Sequence, residues 1–499
     1  MQDIRELVHF VALNNPQLLK GNTSKFGADT KPGALFHALA KGKVETDEDA
    51  LQLLYGSKED NSAYRKIKSG LRDTLLESLL NLDLSSGAFT DYQQAYYECH
   101  KQWLYVKILM GQNVNVAAMS LAKRLLKQTV KYDFTALSMD ITSYLRIQYA
   151  LREGDDKRFS ETNQQFAHFR DVYDSESVAE EMYSVLVAKY INSRAPKVKA
   201  SAAIEENYGH LAPMLERLDS YRLHLYGRLI GLMRFTTTNN FEKALIFCDE
   251  AISFFQSKPY QARVPVQIFL YEKLICHVQL RQFEAGKDAA RQCAKYLKSG
   301  TFNWFKYQEL TLKLAMHTGQ YQEAYDRIDE VLTHPRYQFL PENVKEIWRI
   351  YEAYLYFLVL LGKVKVPEGS PFKSGKFFNE VPIFSKDKSG LNIAIQAIRF
   401  LLLIAERKQA QLYDETDSWN QYCYRYINTP QTKRSFNFFK ALLHIPAGRF
   451  DLAEVERKAK RNLEQMAQLP LRVADQVDEI EIIPYEDLWS LVRELLARR

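Results

Sequence analysis

The segment from Gly369 to Phe377 has part of the spacing of a phosphate-binding loop, because its first glycine is followed by Gly375 and Lys376. Such loops hold phosphate oxygens with backbone amides and bind magnesium through a hydroxyl side chain. Here the spacer between the glycines is one residue too long, and Phe377 occupies the position of the hydroxyl. We therefore expect no nucleotide at this segment, and no other motif predicts a cofactor.

Two cysteines stand directly before histidines, at Cys99-His100 and Cys276-His277. A nucleophilic cysteine needs a base beside it, but neighbouring residues on a helix point about 100° apart. The histidines also lack the HxxxH or HExxH spacing of a helical zinc motif. The sequence therefore predicts neither catalytic residues nor a metal site, and we expect a protein that is not an enzyme.

An acidic run lies near the carboxyl end of the chain, at Asp475, Asp478, Glu479 and Glu481. It leads into a predicted helix start, and no general acid or base accompanies it. We expect a solvated linker here, and the alternative is a surface for a basic partner.

Four basic residues recur at short helical spacing, at Lys123, Arg124, Lys127 and Lys131. Several of them fall on one face of a predicted helix, with Tyr132 close by. This face makes nucleic-acid contact a hypothesis. It is only the alternative, because an ordinary solvated helix shows the same pattern.

The segment 363–390 interrupts the helical pattern with Pro367, Pro371, Pro382 and several glycines. A long loop inside a compact chain is usually either functional or disordered. This one holds four phenylalanines that are candidate partner-binding residues, Phe372, Phe377, Phe378 and Phe384. The alternative is a strap that packs over the protein's own helices.

Composition indicates an ordinary globular chain, since 46% of its 499 residues are hydrophobic and its formal net charge is +6. That small excess supplies no strong field for nucleic acid or an anionic membrane. The five cysteines lack CxxC spacing, which favours reduced, buried thiols. The sequence shows no secretory signal pattern and no apolar run near the roughly 20 residues of a membrane helix. We therefore expect a cytoplasmic protein that does not bind membranes.

Apolar residues recur three and four positions apart through most of the chain, which predicts helix after helix and almost no strand. In the first ninety residues we expect a short helix near Ile4 to Leu13 and an amphipathic helix from Asp47 to Leu84. Later breaks are predicted at Gly111, Gly154, Pro196, Pro213, Asn239, Pro259, Gly300, Gly319, Pro335 and Gly362. The pattern as a whole predicts an all-α fold.

One motif recurs four times, with an aromatic residue, an alanine or glycine three positions later, and two further residues after four and three more positions. The matches are Phe241, Ala244, Cys248 and Ala251; Phe283, Gly286, Ala290 and Cys293; Tyr321, Ala324, Ile328 and Val331; and Phe450, Ala453, Arg457 and Lys460. A small residue lets two helix backbones approach closely, while the aromatic ring fills the gap.

This motif resembles the second helix of the tetratricopeptide repeat, most closely over residues 221–332. The chain departs from that family at Leu232, Leu274 and Leu312, where the first helix usually has a small residue. The resemblance implies an α-solenoid of stacked antiparallel helical hairpins, TPR-like, with an irregular period of about 38–43 residues. It also implies an interaction scaffold, because the family is mostly one of binding proteins with varied partners.

The sequence predicts four regions. They are a non-repetitive helical region (1–90), TPR-like repeats (91–362), the long loop (363–390) and a helical region with one further hairpin (391–499). The functional hypothesis is a non-catalytic scaffold that binds a protein or peptide partner. The alternative is a regulatory protein that contacts nucleic acid through basic helical faces.

Overall fold

The computed structural model describes residues 1–14, 26–27, 29–59, 61–82, 90–191, 197–280, 282–366, 391–430, 432–469 and 481–498. Within these ranges the chain forms 21 α-helices and no strand, as an all-α fold requires. No helix in the described part of the chain is long and apolar enough to cross a membrane. The chain divides into two compact units, one of Met1–Ser177 with Lys258–Ala262 and one of Val178–Ser257 with Arg263–Arg499.

The first unit has two hydrophobic cores. Its helices are α1 (Gln2–Asn14), α2 (Lys31–Ala40), α3 (Asp47–Tyr55), α4 (Ser62–Leu79), α5 (Asp91–Gly111), α6 (Asn115–Lys131), α7 (Thr135–Gln148) and the larger part of α8 (Asp156–Leu186). Helices α1 to α4 bury Ile4, Leu35 and Leu71 among themselves, whereas α5 to α7 pack in sequence around Val106 and Ile141.

The predicted helix from Asp47 to Leu84 is in fact two helices, α3 and α4, so that prediction was wrong. Gly56 ends α3 in the left-handed conformation, with a φ of 67° that favours glycine. The side chain of Asn61 then accepts a hydrogen bond of 2.8 Å from the backbone amide of Tyr64 and starts α4. The apolar period continues across the break because both helices pack against the same core.

The second unit is a continuous series of helices, each packed against the next along the chain from α9 onward. They are α9 (Lys197–Arg217), α10 (Tyr221–Thr236), α11 (Phe241–Gln256), α12 (Arg263–Gln279), α13 (Phe283–Ala294), α14 (Phe302–His317), α15 (Tyr321–Leu332), α16 (Glu342–Leu360), α17 (Leu391–Ala405), α18 (Gln409–Tyr426), α19 (Lys433–Ala447), α20 (Leu452–Ala467) and α21 (Tyr485–Ala497). The break predicted at Pro213 is absent, because α9 continues through that proline while packing against α10.

The repeated motif marks three helix starts. Phe241, Phe283 and Tyr321 are the first residues of α11, α13 and α15. The small residues that follow, Ala244, Gly286 and Ala324, are buried. Each of these helices therefore turns its small residues toward neighbouring helices.

The fourth match has a different register. Ala453 is exposed, and so are Arg457 and Lys460. Helix α20 instead buries Val455 and Ala459. The motif assignment at Phe450 was therefore wrong in register, although α19 and α20 do pack as neighbours.

Three helices approach closely at Gly231 on α10. A Cβ atom at this position would lie 2.5 Å from Cζ of Phe247 on α11 and 2.7 Å from Cε2 of Tyr208 on α9. Both distances are shorter than van der Waals contact, so a larger residue at this position would have to displace one or both rings. The sequence analysis did not single out this residue, because the motif places its small residues on the second helix.

We predict that Gly231→Ala lowers the free energy of unfolding by about 1 to 3 kcal/mol through overpacking. Alanine normally stabilises a helix interior relative to glycine by about 0.5 to 1 kcal/mol. Gly70→Ala on α4 is the matched control, because no atom lies within 4 Å of its Cβ position. Urea unfolding of both variants checks this, and an equal rise in stability would contradict the packing described.

A buried ion pair joins the last three helices. The guanidinium of Arg434 on α19 lies 2.6 Å from a carboxylate oxygen of Glu486 and also forms two hydrogen bonds with Glu481. Its remaining N–H group donates to the carbonyl oxygens of Met466 and Leu469, at 3.1 and 3.2 Å. Burial opposes the charge of Arg434, but the two carboxylates outweigh it and raise the pKa of the guanidinium. Arg434 therefore stays charged, whereas burial raises the pKa of its partner Glu481.

Glu481 is buried and bonded to other residues. The prediction that the acidic run is a solvated linker was therefore wrong at this residue. Its side chain is 2% exposed, and its carboxylate accepts a 3.0 Å hydrogen bond from the backbone amide of Tyr485. Nε2 of His317 lies 2.7 Å from its carbonyl oxygen. The other three acids of the run, Asp475, Asp478 and Glu479, lie outside the described residues.

We predict that Arg434→Met lowers the free energy of unfolding by about 3 to 5 kcal/mol, because Glu481 is left buried without its partner. The control is Arg457→Met, which removes an exposed pair with Glu454. That change should leave the free energy of unfolding nearly unchanged, because water screens an exposed ion pair. Chemical unfolding monitored by circular dichroism compares the two, and equal losses would show that burial of the pair is unimportant.

Candidate functional site

The four candidate partner-binding phenylalanines lie outside the described residues. They are Phe372, Phe377, Phe378 and Phe384. The segment from Gly369 to Phe377, which partly resembles a phosphate-binding loop, also lies outside the described residues. Their role as a strap or a binding element stays a prediction.

The five cysteines are buried free thiols, as the sequence predicted. Burial raises the pKa of Cys99 to about 11 and the pKa values of Cys293 and Cys423 to about 12. A thiol is a good nucleophile only as the thiolate, so these three are unreactive at neutral pH. Among the described residues, no group of three histidine, cysteine or acidic side chains lies close enough to hold a metal ion.

The predicted basic face on α6 is partly neutralised. Nζ of Lys123 lies 3.7 Å from a carboxylate oxygen of Glu153. Arg124, Lys127 and Lys131 are exposed. Three cations therefore share this surface of α6.

A different set of side chains forms a row across alternate helices of the second unit. It consists of tyrosines and glutamates on α8, α10, α12, α14 and α16, and we call it the tyrosine–glutamate row: Tyr183, Tyr226, Tyr271, Glu272, Glu309 and Tyr351. Tyr351 is buried, and the other five are half-buried. The intervening helices α11, α13 and α15 are those that carry the repeated motif.

Glu309 is the fully paired member of the row. Its carboxylate lies 3.0 Å from Nζ of Lys306 and 3.1 Å from Nζ of Lys313. The hydroxyl of Tyr351 donates a 2.9 Å hydrogen bond to it. Burial alone would raise the pKa of Glu309, but the two lysines lower it to about 2. This end of the row is a satisfied structural network.

Glu272 is the unpaired member of the row. It forms no hydrogen bond or ion pair with any described residue, and burial raises its pKa to about 7. The next residue, Lys273, pairs with Asp249 at 2.6 Å. Arg222, near Tyr226 on α10, pairs with Glu180. Neither cation neutralises Glu272.

A pair of tyrosine rings lies at the α8 and α10 end of the row. The ring centroids of Tyr183 and Tyr226 are 5.5 Å apart. Burial raises the pKa of the Tyr183 hydroxyl, and the nearby charge of Glu272 adds to this. Burial likewise raises the pKa of Tyr271, with Glu309 and Glu272 contributing. Electrostatic interactions therefore link Tyr183, Glu272, Tyr271 and Glu309, from α8 to α14.

This arrangement suits recognition better than catalysis. Two carboxylates with pKa values of about 2 and about 7 have the opposite ionisation that an acid–base pair needs. However, Glu309 is already bound by three side chains and cannot act on a substrate without losing them. Half-buried tyrosines and an unpaired carboxylate are groups that can bind a ligand.

The sequence contained a signal for the row that was not used. Tyr271 and Glu309 each lie twelve residues before a motif aromatic, Phe283 and Tyr321 respectively. Aligning the first helices on the motif would have brought these polar residues into one column. Tyr183 and Tyr226 have no such register in common, and only the packing of α8 beside α10 brings them together.

We predict that Glu272 makes the protein less stable as the pH rises. Its pKa rises from about 4.5 to about 7 on folding, so the ionised form disfavours the folded state above that range. At pH 8, Glu272→Gln should be more stable than the natural chain by about 1 to 2 kcal/mol, and at pH 4 the two should be equal.

Thermal unfolding across this pH range is the measurement, with Glu284→Gln as the control. Glu284 is an exposed acid on α13 and should leave the pH dependence unchanged. Parallel stability curves for the natural chain and Glu272→Gln would contradict the burial of this carboxyl group.

No protein-family model, curated protein or solved structure matches the chain.

Proposed function

We propose that the chain is a non-catalytic helical-repeat scaffold that binds an extended segment of a protein partner along the tyrosine–glutamate row. In this proposal α10 to α15 are three TPR-like hairpins of an irregular α-solenoid. The placement of the row on alternate helices is the observation that carries it. In a stack of hairpins, alternate helices line one common surface. Residues at equivalent positions of these helices therefore line one continuous groove.

The length of the row fits a peptide. Five helices packed at the usual spacing of about 8 to 10 Å span roughly 30 to 40 Å. An extended chain advances about 3.3 Å per residue, so about ten residues would cover that distance. A compact small molecule would touch only one or two of the five helices.

The chemistry of the row also fits a peptide. Tyrosine offers a large apolar ring and a hydroxyl, and it loses little conformational freedom on binding. The row combines four tyrosines with two carboxylates. Such groups can form hydrogen bonds with both the backbone and the polar side chains of a peptide. We place this scaffold in the cytoplasm, because five buried reduced thiols are typical of a reducing compartment.

Nucleic-acid binding is the second candidate, and it rests on the exposed residues Arg124, Lys127 and Lys131 of α6. Each cation in contact with a phosphate releases about one counterion, so three of them support only weak, salt-sensitive binding. The basic residues also lie on one helix, α6, whereas the tyrosine–glutamate row extends over five alternate helices. We therefore favour the protein scaffold.

Selection from a library of displayed random dodecapeptides tests the proposal on the full chain. We expect binders that lose at least tenfold in affinity for the variant Tyr183→Ala/Tyr226→Ala, which removes two rings of the row. The matched control is Ile246→Ala/Tyr413→Ala, because Ile246 and Tyr413 are exposed apolar residues outside the row.

This control should bind the selected peptides as the natural chain does. If no peptide is enriched, or if both double variants bind equally well, the row is not the binding surface. Circular dichroism of each variant verifies that the helices are retained.

A further inference from the structure

The carboxylate of Glu272 is the one charge in the tyrosine–glutamate row that the described residues leave uncompensated. Glu309 has two lysines and a tyrosine, whereas Glu272 has no hydrogen-bond or ion-pair partner. A half-buried acid without a counter-charge weakens the fold when it ionises. A ligand that brings the opposite charge would remove this cost.

The described side chains whose pKa values respond to Glu272 carry no charge that could compensate it. The side chains that interact electrostatically with it are Tyr183 from α8, Cys248 from α11 and Tyr271 from α12. Burial and nearby groups raise the pKa of each, so all three are neutral at physiological pH. Lys273, the next residue in the sequence, is paired with Asp249 at 2.6 Å.

The tyrosine rings at the α8 and α10 end of the row have the right chemistry for a cation. The faces of tyrosine rings attract an ammonium or guanidinium group within about 6 Å. Tyr183 and Tyr226 lie 5.5 Å apart and are both half-buried, so each presents part of its ring. An acid together with two rings combines direct charge attraction with cation–π attraction.

We propose that the α8–α12 part of the row, formed by Glu272, Tyr183 and Tyr226, binds a lysine or arginine side chain of the partner segment. This inference rests on the proposed function, since it names the chemistry of one position in the same peptide. A divalent metal ion is a poorer occupant, because one carboxylate supplies too few oxygen ligands. An acidic peptide is excluded at this position by repulsion from Glu272.

Cation binding should be coupled to ionisation of Glu272. The folded-state pKa of about 7 means that most of the carboxyl groups are protonated at pH 5.5 and most are ionised at pH 8. Because a cation favours the ionised form, binding at pH 6 to 7 should release a proton, and affinity should rise with pH. The phenols and the thiol around Glu272 stay neutral over this range.

The test uses isothermal titration calorimetry on the full chain with a capped octapeptide of alternating lysine and alanine. We expect roughly thirtyfold tighter binding at pH 8 than at pH 5.5, in line with the change in the ionised fraction of Glu272. Glu272→Gln should weaken binding at pH 8 by about tenfold and abolish the pH dependence. Glu284→Gln removes the same charge from an exposed face and should behave like the natural chain.

Two further titrations identify the source of the charge. A peptide with glutamate in place of lysine should not bind at this position. Spermine carries ammonium groups without a peptide backbone, and binding of spermine that is tighter and equally dependent on Glu272 would overturn the assignment to a peptide side chain. Lysine-peptide binding that is equal for the natural chain and Glu272→Gln would overturn the inference itself.

The outcomes separate this inference from the proposed function. If library selection yields peptides that depend on Tyr183 and Tyr226 but contain no lysine or arginine, the scaffold proposal stands and the cation site is wrong. If no peptide depends on the row, the scaffold proposal fails. Thermal unfolding at pH 8 checks that Glu272→Gln remains folded, and the expected gain in stability distinguishes lost binding from lost structure.

Discussion

Close approach between successive helices is the constraint on which the second unit depends. From α9 to α21 each helix packs against the next one along the chain, and many have few other helix partners. A helix in such a series must bury two opposite faces, so the residues on both faces set its distance from its neighbours. Ala244, Gly286 and Ala324 keep that distance short, and Gly231 lies between two aromatic rings. The positions of all other side chains follow from this spacing.

The spacing also decides which charges the protein can bury. Arg434 reaches two carboxylates and two backbone carbonyls, and Glu309 reaches two lysines and a tyrosine. In both networks every strong donor or acceptor has a partner, which is the condition under which a buried charge is tolerated. Glu272 is held in the same helical framework without such partners. The contrast within one row is the reason that we assign a binding role to Glu272 and a structural role to Glu309.

Local signals in the sequence explain where most helices begin. Phe241, Phe283 and Tyr321 are first residues of helices, and the small residues that follow them are buried as the motif predicts. Apolar periodicity alone predicts helix boundaries wrongly where capping residues or packing against a neighbouring helix decide them. The break between α3 and α4 was missed because apolar spacing continues across it, although Gly56 and Asn61 are typical end and start residues. At Phe450 the motif spacing is present, but packing against α19 selects a different face of α20.

The sequence by itself determined an all-helical chain, the starts of the repeated helices and the burial of its five cysteines, because these depend on periodicity and on residue size within about one helical turn. The tertiary structure alone decided which polar residues meet. Tyr183 and Glu272 are far apart in sequence, as are Arg434 and Glu481, and the acidic run that contains Glu481 does not indicate Arg434 as its partner. The pKa of a glutamate depends on what surrounds it in three dimensions. For that reason Glu272 and Glu309 look alike in the sequence and differ widely in the folded protein.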